Sequence, residues 1–579
     1  MINGEIAKIL REMGMMYEME DVQFKPRAYE KAAMAVEELS VGASELYKRG
    51  GKKALDEIPG IGPAIAAHIE ALLKTGSFSE YRRMKKKIPV ALDELVAVEG
   101  LGPKMVRVLY QKLRVRNLKD LERAAKAGKV RNLPHFGAKS EEKILRGIEF
   151  LRKSKGRFLL GTILPIVRTI EERLRKVPGV DQVATAGSVR RFQETIGDID
   201  ILVTAKKPEA VMKVFTTMPE VEAVTARGST KSTVRLRQGV NADVRVLPDE
   251  SYGAALQYFT GDKAHNIEVR KIAIKKGWKL NEYGLFKGTK LIAGRTEEEI
   301  YKKLGLEWIP PELRTASGEI EAAAKGKLPN LIPFGSIRGD CQVQTEWTDG
   351  SASITEMAEA ARRAGLEYIV ITDHTRSLAM TGGLDEKGLA RQGKEIDKLN
   401  KELGIRNNGF RILKGAEVNI LKDGSLDIAD DALAKLDVVA VSVHSHFGMS
   451  EREMTERIIR ALKHPAVNIL FHPTGRIIGR REPYKVDIEK VIRAAKQYGV
   501  ALEANSSPER LDLKDTHIRM AVEAGAKLVV DSDAHSPSHF GFLDFGVAQA
   551  RRGWATKTDV LNTRPVAEFL KALRGLKKR

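Results

Sequence analysis

The sequence is short of several things, and each shortage excludes a class of protein. A single cysteine, Cys341, stands among 579 residues, so neither an intramolecular disulfide nor a thiolate zinc cluster can form. No apolar run approaches about 18 residues, which excludes an ordinary transmembrane helix. The opening residues, Met1-Ile2-Asn3-Gly4-Glu5-Ile6-Ala7-Lys8, lack the apolar core of a signal peptide. Acidic residues are outnumbered, 77 against 98 Lys and Arg, which leaves a formal net charge of +21. At 42% hydrophobic and 30% charged residues, the composition is that of globular domains. A span of about 150 residues per domain predicts three or four of them. These readings describe a basic, multidomain, cytoplasmic protein with no membrane association, expected to be a monomer.

The charge is uneven. The residues before Ser336 carry a net +17, and those from Ser336 onward only +4. Histidine runs the other way: only His68, His135 and His265 of the 11 precede Ser336. Two regions with different chemistry are implied. Paired prolines at Pro310-Pro311 and an Ala/Lys/Gly stretch before Leu328-Pro329 predict a linker between them. Excess positive charge makes a polyanion a reasonable partner, although a generally basic surface would carry the same charge.

A short pattern recurs three times in the basic region. It reads Ile58-Pro59-Gly60-Ile61-Gly62-Pro63, then Val98-Glu99-Gly100-Leu101-Gly102-Pro103-Lys104, then Leu133-Pro134-His135-Phe136-Gly137-Ala138-Lys139. Apolar residues at helical spacing follow each copy, as at Ile65, Ile69 and Leu72. A Gly-x-Gly turn that opens a helix leaves backbone N–H groups pointing outward, where they and the helix dipole suit a phosphate oxygen. Such a site reads no base sequence. The pattern resembles the helix-hairpin-helix motif of DNA-binding proteins. Its third copy departs from the motif, with His135 in place of the first glycine.

The run Gly187-Ser188-Val189-Arg190-Arg191 followed by Ile196-Gly197-Asp198-Ile199-Asp200-Ile201-Leu202-Val203 alternates and then becomes wholly apolar, which predicts a strand. Residues i and i+2 share a face, so Asp198 and Asp200 point the same way. Two such carboxylates repel unless a cation lies between them, and hard oxygen ligands suit Mg²⁺. A second strand-like run, Ala242-Asp243-Val244-Arg245-Val246, offers Asp243. The Gly187-Ser188 turn and the arginines after it supply N–H groups, a hydroxyl and guanidinium for a triphosphate.

The arrangement resembles the Gly-Ser … Asp-x-Asp signature of nucleotidyltransferases. With Tyr258-Phe259-Thr260-Gly261, His265-Asn266, Arg270 and Leu280-Asn281-Glu282-Tyr283-Gly284-Leu285, it resembles the family X DNA polymerases over about the first 313 residues. The resemblance implies two-metal phosphoryl transfer with Mg²⁺ or Mn²⁺ held by Asp198, Asp200 and Asp243. Gly187, Ser188, Arg191, Gly197, Tyr258, Phe259, Gly261, Asn266 and Arg270 would form the nucleotide pocket. Gly60, Gly62, Gly100, Gly102, Lys104 and Tyr283 would contact gapped or primer-template DNA. One departure touches a side activity of the family. The Schiff-base lysine of its 5′-deoxyribose-phosphate lyases aligns with His68, and imidazole forms no imine with a sugar aldehyde. Lys31 matches another lysine of that pocket.

In the C-terminal region apolar runs end in polar clusters at Thr372-Asp373-His374, Ser442-Val443-His444, His472-Pro473, Glu503-Ala504-Asn505 and Asp531-Ser532-Asp533-Ala534-His535. Helical stretches such as Glu451–Leu462 and Asp487–Tyr498 lie between them. This predicts a β/α barrel with an active-site rim. One such histidine would read as a core residue; four at strand ends argue for metal. The motifs resemble the PHP (polymerase and histidinol phosphatase) domain. That resemblance implies Asp349, His374, Glu417, His444, His472, Asp533 and His535 as ligands of Zn²⁺ or Mn²⁺. The first PHP motif normally reads Asp-Leu-His-x-His, whereas this chain has Asp340-Cys341-Gln342-Val343-Gln344. An amide oxygen is a weak ligand for these ions, so the loss of both histidines counts against the 3′–5′ exonuclease activity associated with such domains. Cys341 is expected in the core, and His446, His464, His517 and His539 at the surface or behind the ligands.

The expected fold is multidomain, α and α/β. A helical hairpin domain would cover 1–85, fingers with the second hairpin 86–152, and a nucleotidyltransferase palm with a mixed sheet 153–250. A small thumb would follow at 251–313, the linker at 314–335, and a distorted PHP β/α barrel at 336–579. Gap-filling DNA synthesis in repair is the activity implied. Two alternatives are a repair nuclease acting mainly through the barrel and a non-catalytic DNA-binding scaffold.

Overall fold

The computed structural model of the chain describes all residues except 2, 38, 40, 41, 59, 99, 154, 155, 379, 380, 407, 408, 578 and 579. The chain divides into two compact units, Met1–Lys155 with Gly479–Glu482, and Gly156–Ile478 with Pro483–Arg579.

The first unit is helical. Its core gathers Leu10, Met13, Leu72, Leu92, Leu109 and Ile144 from successive helices. The three repeated turns adopt one conformation. Gly60 and Gly100 both have φ +85°. Gly62 and Gly102 cap the helices Pro63–Thr75 and Pro103–Leu113 from extended backbone, each with proline at the first helical position. Ile61 N–H donates to Ile58 C=O (3.0 Å), Leu101 to Val98 (3.0 Å), and Phe136 to Leu133 (3.1 Å). His135 takes φ +67°, the left-handed backbone that glycine supplies in the other two copies. The turn therefore survives the missing glycine. Pro59 and Glu99, within the first two copies, lie outside the described residues.

The second unit begins with a mixed five-stranded sheet. Its strands are β1 (Val180–Thr185), β2 (Asp198–Ala205), β3 (Val221–Arg227), β4 (Lys231–Leu236) and β5 (Asn241–Leu247), in the spatial order β1-β2-β5-β4-β3. Only β2 and β5 are parallel. Ile199, Ile201 and Val203 bury one face of β2 in a core shared with Ile163 and Val167 of helix Leu160–Arg175 and with Phe215. A three-stranded antiparallel sheet follows: β6 (Trp278–Asn281), β7 (Gly284–Lys287) and β8 (Lys290–Ala293).

The expected linker is a packed segment, which corrects that reading. Arg314 is fully buried, its Nη1 2.6 Å from Glu297 Oε1. Glu319 is also fully buried, 2.7 Å from His265 Nδ1. Ile320 and Ala323 join the apolar core of Leu280, Leu285 and Ile300. Proline pairs and small residues resemble a tether, but here the buried ions hold the segment in place.

Seven parallel strands then close a barrel: β9 (Gly339–Val343), β10 (Tyr368–Ile371), β11 (Arg411–Asn419), β12 (Val438–Ser442), β13 (Ile469–Leu470), β14 (Ala501–Asn505) and β15 (Leu528–Asp531). Closure runs from Gln344 N–H to Ala534 C=O (2.8 Å) and from Ala534 N–H to Gln342 C=O (3.0 Å). Helices Glu451–Leu462 and Ile488–Tyr498, capped by Ser450 and Asp487, cover the outside. Cys341, Tyr368, Phe471 and Phe569 of the C-terminal helix Val566–Leu576 share an apolar cluster within the barrel. Cys341 is thus a core residue, as its sequence position predicted.

Candidate active sites

Strand register builds the first site. Asp200 of β2 pairs with Asp243 of β5, and Asp198 with Asn241, so three carboxylates converge at one end of the sheet. Burial, with Asp198 and Asp243 as like-charged neighbours, pushes Asp200 up to about 6. Lys231 Nζ stands 3.1 Å from Asp243 Oδ2. This surplus of negative charge on hard oxygens fits Mg²⁺ or Mn²⁺.

Gly187 and Ser188 open the short helix Gly187–Arg190 directly against these carboxylates, and Ala186 N–H donates to Asp200 C=O (2.8 Å). The two arginines that follow have different surroundings. Arg190 is committed to a buried pair, its Nη1 and Nη2 both 2.8 Å from the Glu297 carboxylate, with Thr260 Oγ1 at 2.7 Å from Nη1. Arg191 donates to Thr260 C=O, and its Nε is buried without a partner. Arg191 makes no ion pair of this kind, which leaves its guanidinium uncommitted to a carboxylate among the described residues.

Tyr258 and Phe259 form an edge-on pair at 5.1 Å, with the Arg245 guanidinium 4.6 Å from the Phe259 ring. Asn266 Nδ2 donates to Tyr258 C=O (2.6 Å), while its Oδ1 accepts from Gln257 Nε2 (2.9 Å). Gly261 leaves room for it: a Cβ there would stand 2.8 Å from Asn266 Oδ1. Asn266 therefore shapes the Tyr258–Gly261 turn, and Arg270 Nε donates to its C=O (3.2 Å). Gly197 is exposed and Tyr283 is 54% exposed.

Several residues that the sequence did not single out hold this site to the barrel. Glu194, between the Gly187 helix and β2, accepts Arg476 Nη1 (3.1 Å), Arg476 Nη2 (2.5 Å) and Gln549 Nε2 (2.6 Å). Arg476 and Gln549 lie 282 and 355 positions away in sequence, and no local pattern marks them.

The second candidate site lies at the C-terminal ends of the barrel strands. Asp349 Oδ2 stands 3.5 Å from His374 Nε2 and 3.7 Å from His535 Nε2. Glu417 Oε1 stands 3.1 Å from His444 Nε2 and 2.8 Å from His472 Nε2. His374 Nδ1 lies 3.4 Å from Glu417 Oε2. Bonds of about 2.1 Å to one tetrahedral ion place ligand atoms roughly 3.4 Å apart, so both groups fit metal. Second partners orient the rings. His535 Nδ1 faces Asp533 C=O (2.9 Å) and His444 Nδ1 faces Asn419 Oδ1 (2.8 Å), which leaves each Nε2 lone pair for a ligand. Burial works against charge on His535, yet Asp349 and Asp533 hold it up at about 9. Burial pushes His444 down to about 4. His472 and Asp533 both adopt positive φ, +28° and +54°, a strain typical of functional positions.

Gln342 and Gln344 are fully buried, and both Nε2 groups donate to Glu417 Oε2, at 3.2 and 3.0 Å. Asp533 lies beside His535, its Oδ1 3.8 Å from His535 Nδ1. Its Oδ2 accepts Asn505 Nδ2 (3.1 Å) and lies 3.3 Å from Arg510 Nε. Behind it, burial pushes Glu503 and Asp531 far above the usual carboxylate range. Glu503, Asn505 and Asp531 lay in the strand-end clusters already noted; Arg510 and Asn419 carried no sequence signal. Of the remaining histidines, His446 is exposed, His464 pairs with Asp430 (3.1 Å), His517 is half-buried, and His539 Nδ1 accepts from His535 N–H (3.2 Å).

In the first unit His68 is half-buried. Its Nδ1 is 2.7 Å from Tyr29 Oη, and its ring stacks on Phe78 at 4.1 Å. Lys31 is exposed. Gly62 and Gly102 face open space, and Lys104 Nζ pairs with Asp21 (2.7 Å) on the surface. Among the described residues no helix is long and apolar enough to cross a membrane.

Carboxylates converging behind a Gly-Ser turn, in a chain that also carries helix-hairpin-helix turns, define a nucleotidyltransferase that works on DNA. Family models agree: "Helix-hairpin-helix domain" matches residues 1–78, "SAM-like Helix-hairpin-helix tandem" 92–149, and "DNA polymerase beta thumb" 255–315. The chain is 37% identical over 575 residues to the DNA polymerase/3′-5′ exonuclease PolX of Bacillus subtilis (strain 168), covering 98% of this chain and 99% of that protein. It belongs to the family X DNA polymerases. Shorter relatives match over part of the chain. A "probable phosphatase" of Thermoanaerobacter sp. (strain X514) is 34% identical over 232 residues, 38% of this chain and 88% of its own length. A "probable phosphatase" of Shewanella oneidensis is 36% identical over 179 residues, 29% and 68%.

Proposed function

We propose that the chain fills short gaps in DNA by two-metal nucleotidyl transfer at Asp198, Asp200 and Asp243. The observation that carries this is the register pairing of Asp200 with Asp243 beside Gly187-Ser188. The three aspartates would hold Mg²⁺ or Mn²⁺, which when bound neutralises charge on the attacking and leaving oxygens. Asp243 would help draw the proton off the primer 3′-hydroxyl. Ser188, the N–H groups of the Gly187 turn and Arg191 bind the β- and γ-phosphates of a deoxynucleoside triphosphate. Tyr258 and Phe259 line the sugar, and Asn266 and Arg270 flank the base pair. The hairpins at Gly60, Gly62, Gly100 and Gly102 hold the DNA backbone without reading its bases, with Lys104 and Tyr283 as further contacts.

A second activity, 3′–5′ exonuclease at the barrel, is favoured by the groups Asp349/His374/His535 and His374/Glu417/His444, whose ligand atoms lie close enough to share an ion, and by the name of the Bacillus relative. The residues of those groups suit Zn²⁺ or Mn²⁺.

Primer extension on a one-nucleotide gap tests the polymerase reading. The wild type is expected to extend and the Asp198→Ala, Asp200→Ala variant to fail; equal extension by both refutes the assignment. Degradation of the primer by that same variant, abolished by His472→Ala, would place the exonuclease at the barrel.

A further inference from the structure

The two carboxylates Glu417 and Asp533 face one another across a small set of donors, and those donors are all protein N–H groups. Glu417 Oε2 accepts Gln342 Nε2 (3.2 Å) and Gln344 Nε2 (3.0 Å). Asp533 Oδ2 accepts Asn505 Nδ2 (3.1 Å) and stands 3.3 Å from the Arg510 guanidinium. The same Asn505 amide reaches Gln342 Oε1 (3.3 Å), which links the two halves. Glutamine offers one acceptor and two donors, and an amide beside a carboxylate must turn its NH₂ toward it. Each glutamine oxygen consequently faces away from Glu417, and Gln344 Oε1 is left buried without a partner. An ion shared between Glu417 Oε2 and Asp533 would meet amide N–H groups and a guanidinium instead of lone pairs.

The other two groups are differently built. Asp349 Oδ2 faces His374 Nε2 and His535 Nε2, and Glu417 Oε1 faces His444 Nε2 and His472 Nε2. His535 and His444 have their second nitrogens bonded, to Asp533 C=O and to Asn419.

We infer that the barrel centre of this chain holds two metal ions, one at Asp349/His374/His535 and one at Glu417/His444/His472. The amides of Gln342 and Gln344, with Arg510, take the place of a third. In this arrangement the charge on Asp533 and on the inner oxygen of Glu417 is met by fixed hydrogen-bond donors. The Arg510 guanidinium offsets the charge of Asp533, and the two neutral amides donate hydrogen bonds to Glu417 Oε2, so this half of the site meets an incoming ion with donors in place of ligands. The inference rests on reading the cluster as a metal centre, and the experiment separates the two.

The full chain carrying Asp198→Ala and Asp200→Ala, which removes ion binding at the palm, is stripped with chelator, reloaded with Zn²⁺ or Mn²⁺ and desalted. Metal is then counted by plasma mass spectrometry. Two equivalents per chain are expected, falling to one with His535→Ala and to one with His444→Ala. Gln342→His with Gln344→His is expected to raise the count to three. No retained metal overturns the metal-centre reading itself; one or three equivalents in the chain with native glutamines overturn the two-ion inference. Anomalous scattering at the zinc edge from crystals of the same protein gives a check independent of the histidine variant. Two peaks, neither beside Gln342, support the inference, and a peak beside Gln342 refutes it.

Discussion

Gly187 and Asp200 occupy almost the same space: a Cβ on Gly187 would stand 2.8 Å from Asp200 Oδ2, and Gly187 itself has φ +61°. The phosphate-facing turn and the carboxylate at the centre of the aspartate cluster are therefore one unit. Substituting Gly187→Ala adds about 1–2 kcal/mol of left-handed strain and pushes the carboxylate aside. A misplacement of about 1 Å at a reacting centre costs on the order of 100-fold. Gap-filling kcat/KM is expected to fall by about that factor while circular dichroism stays native; unchanged kinetics would count against Asp200 as a metal-holding residue.

The adjacent arginines are expected to fail differently. Arg190→Ala leaves Glu297 buried with Arg314 as its remaining cation, and stability should drop by about 3 kcal/mol with little change in nucleotide KM. Arg191→Ala should raise KM for the triphosphate and hardly move the unfolding midpoint. Urea unfolding and steady-state kinetics on both variants distinguish them, and the reverse pattern would refute the assignment.

Burial alone would raise Glu297, but Arg314 and Arg190 hold its carboxyl down at about 2, below the ordinary 4.5. A depressed acid stabilises the fold above its unfolded value, and that contribution is lost as pH falls toward its folded value. The difference in melting temperature between wild type and Glu297→Gln should be constant above about pH 5 and shrink between about 4.5 and 2. A difference that persists at the acid end would show that the ion pairs are not its source.

The third hairpin turn carries strain that the other two avoid. His135 at φ +67° adopts a conformation glycine takes without penalty. His135→Gly is expected to stabilise the helical unit by about 0.5–1 kcal/mol, seen as a higher melting temperature in scanning calorimetry. A lower transition would mean that the imidazole makes a contribution larger than the strain.

Much of this was legible beforehand because it is local. Alternation in 198–203 set the face of Asp198 and Asp200, and the stretches expected at 451–462 and 487–498 match their helices within a residue. The repeated Gly-x-Gly turns announced themselves by spacing. The linker was misread because composition cannot distinguish a tether from a segment anchored by Arg314 and Glu319, whose partners Glu297 and His265 are 17 and 54 positions away. Glu194 with Arg476, and Asp533 with Arg510, were invisible for the same reason.

The inventory is written along the chain: three hairpin turns, three aspartates on two strands, and a set of strand-end histidines with glutamine at two positions. Those follow from periodicity and residue chemistry, which act over a few residues. Which of these groups meet is settled by packing across the fold. Parallel pairing of β2 with β5 brought Asp243 to Asp200, and closure of the barrel at Ala534 brought Gln342 and Gln344 onto Glu417. It also placed two neighbouring arginines differently, Arg190 in a buried ion pair with Glu297 and Arg191 against the Thr260 carbonyl. Such choices are made by long-range packing, in which a buried polar group must find a partner wherever the fold supplies one.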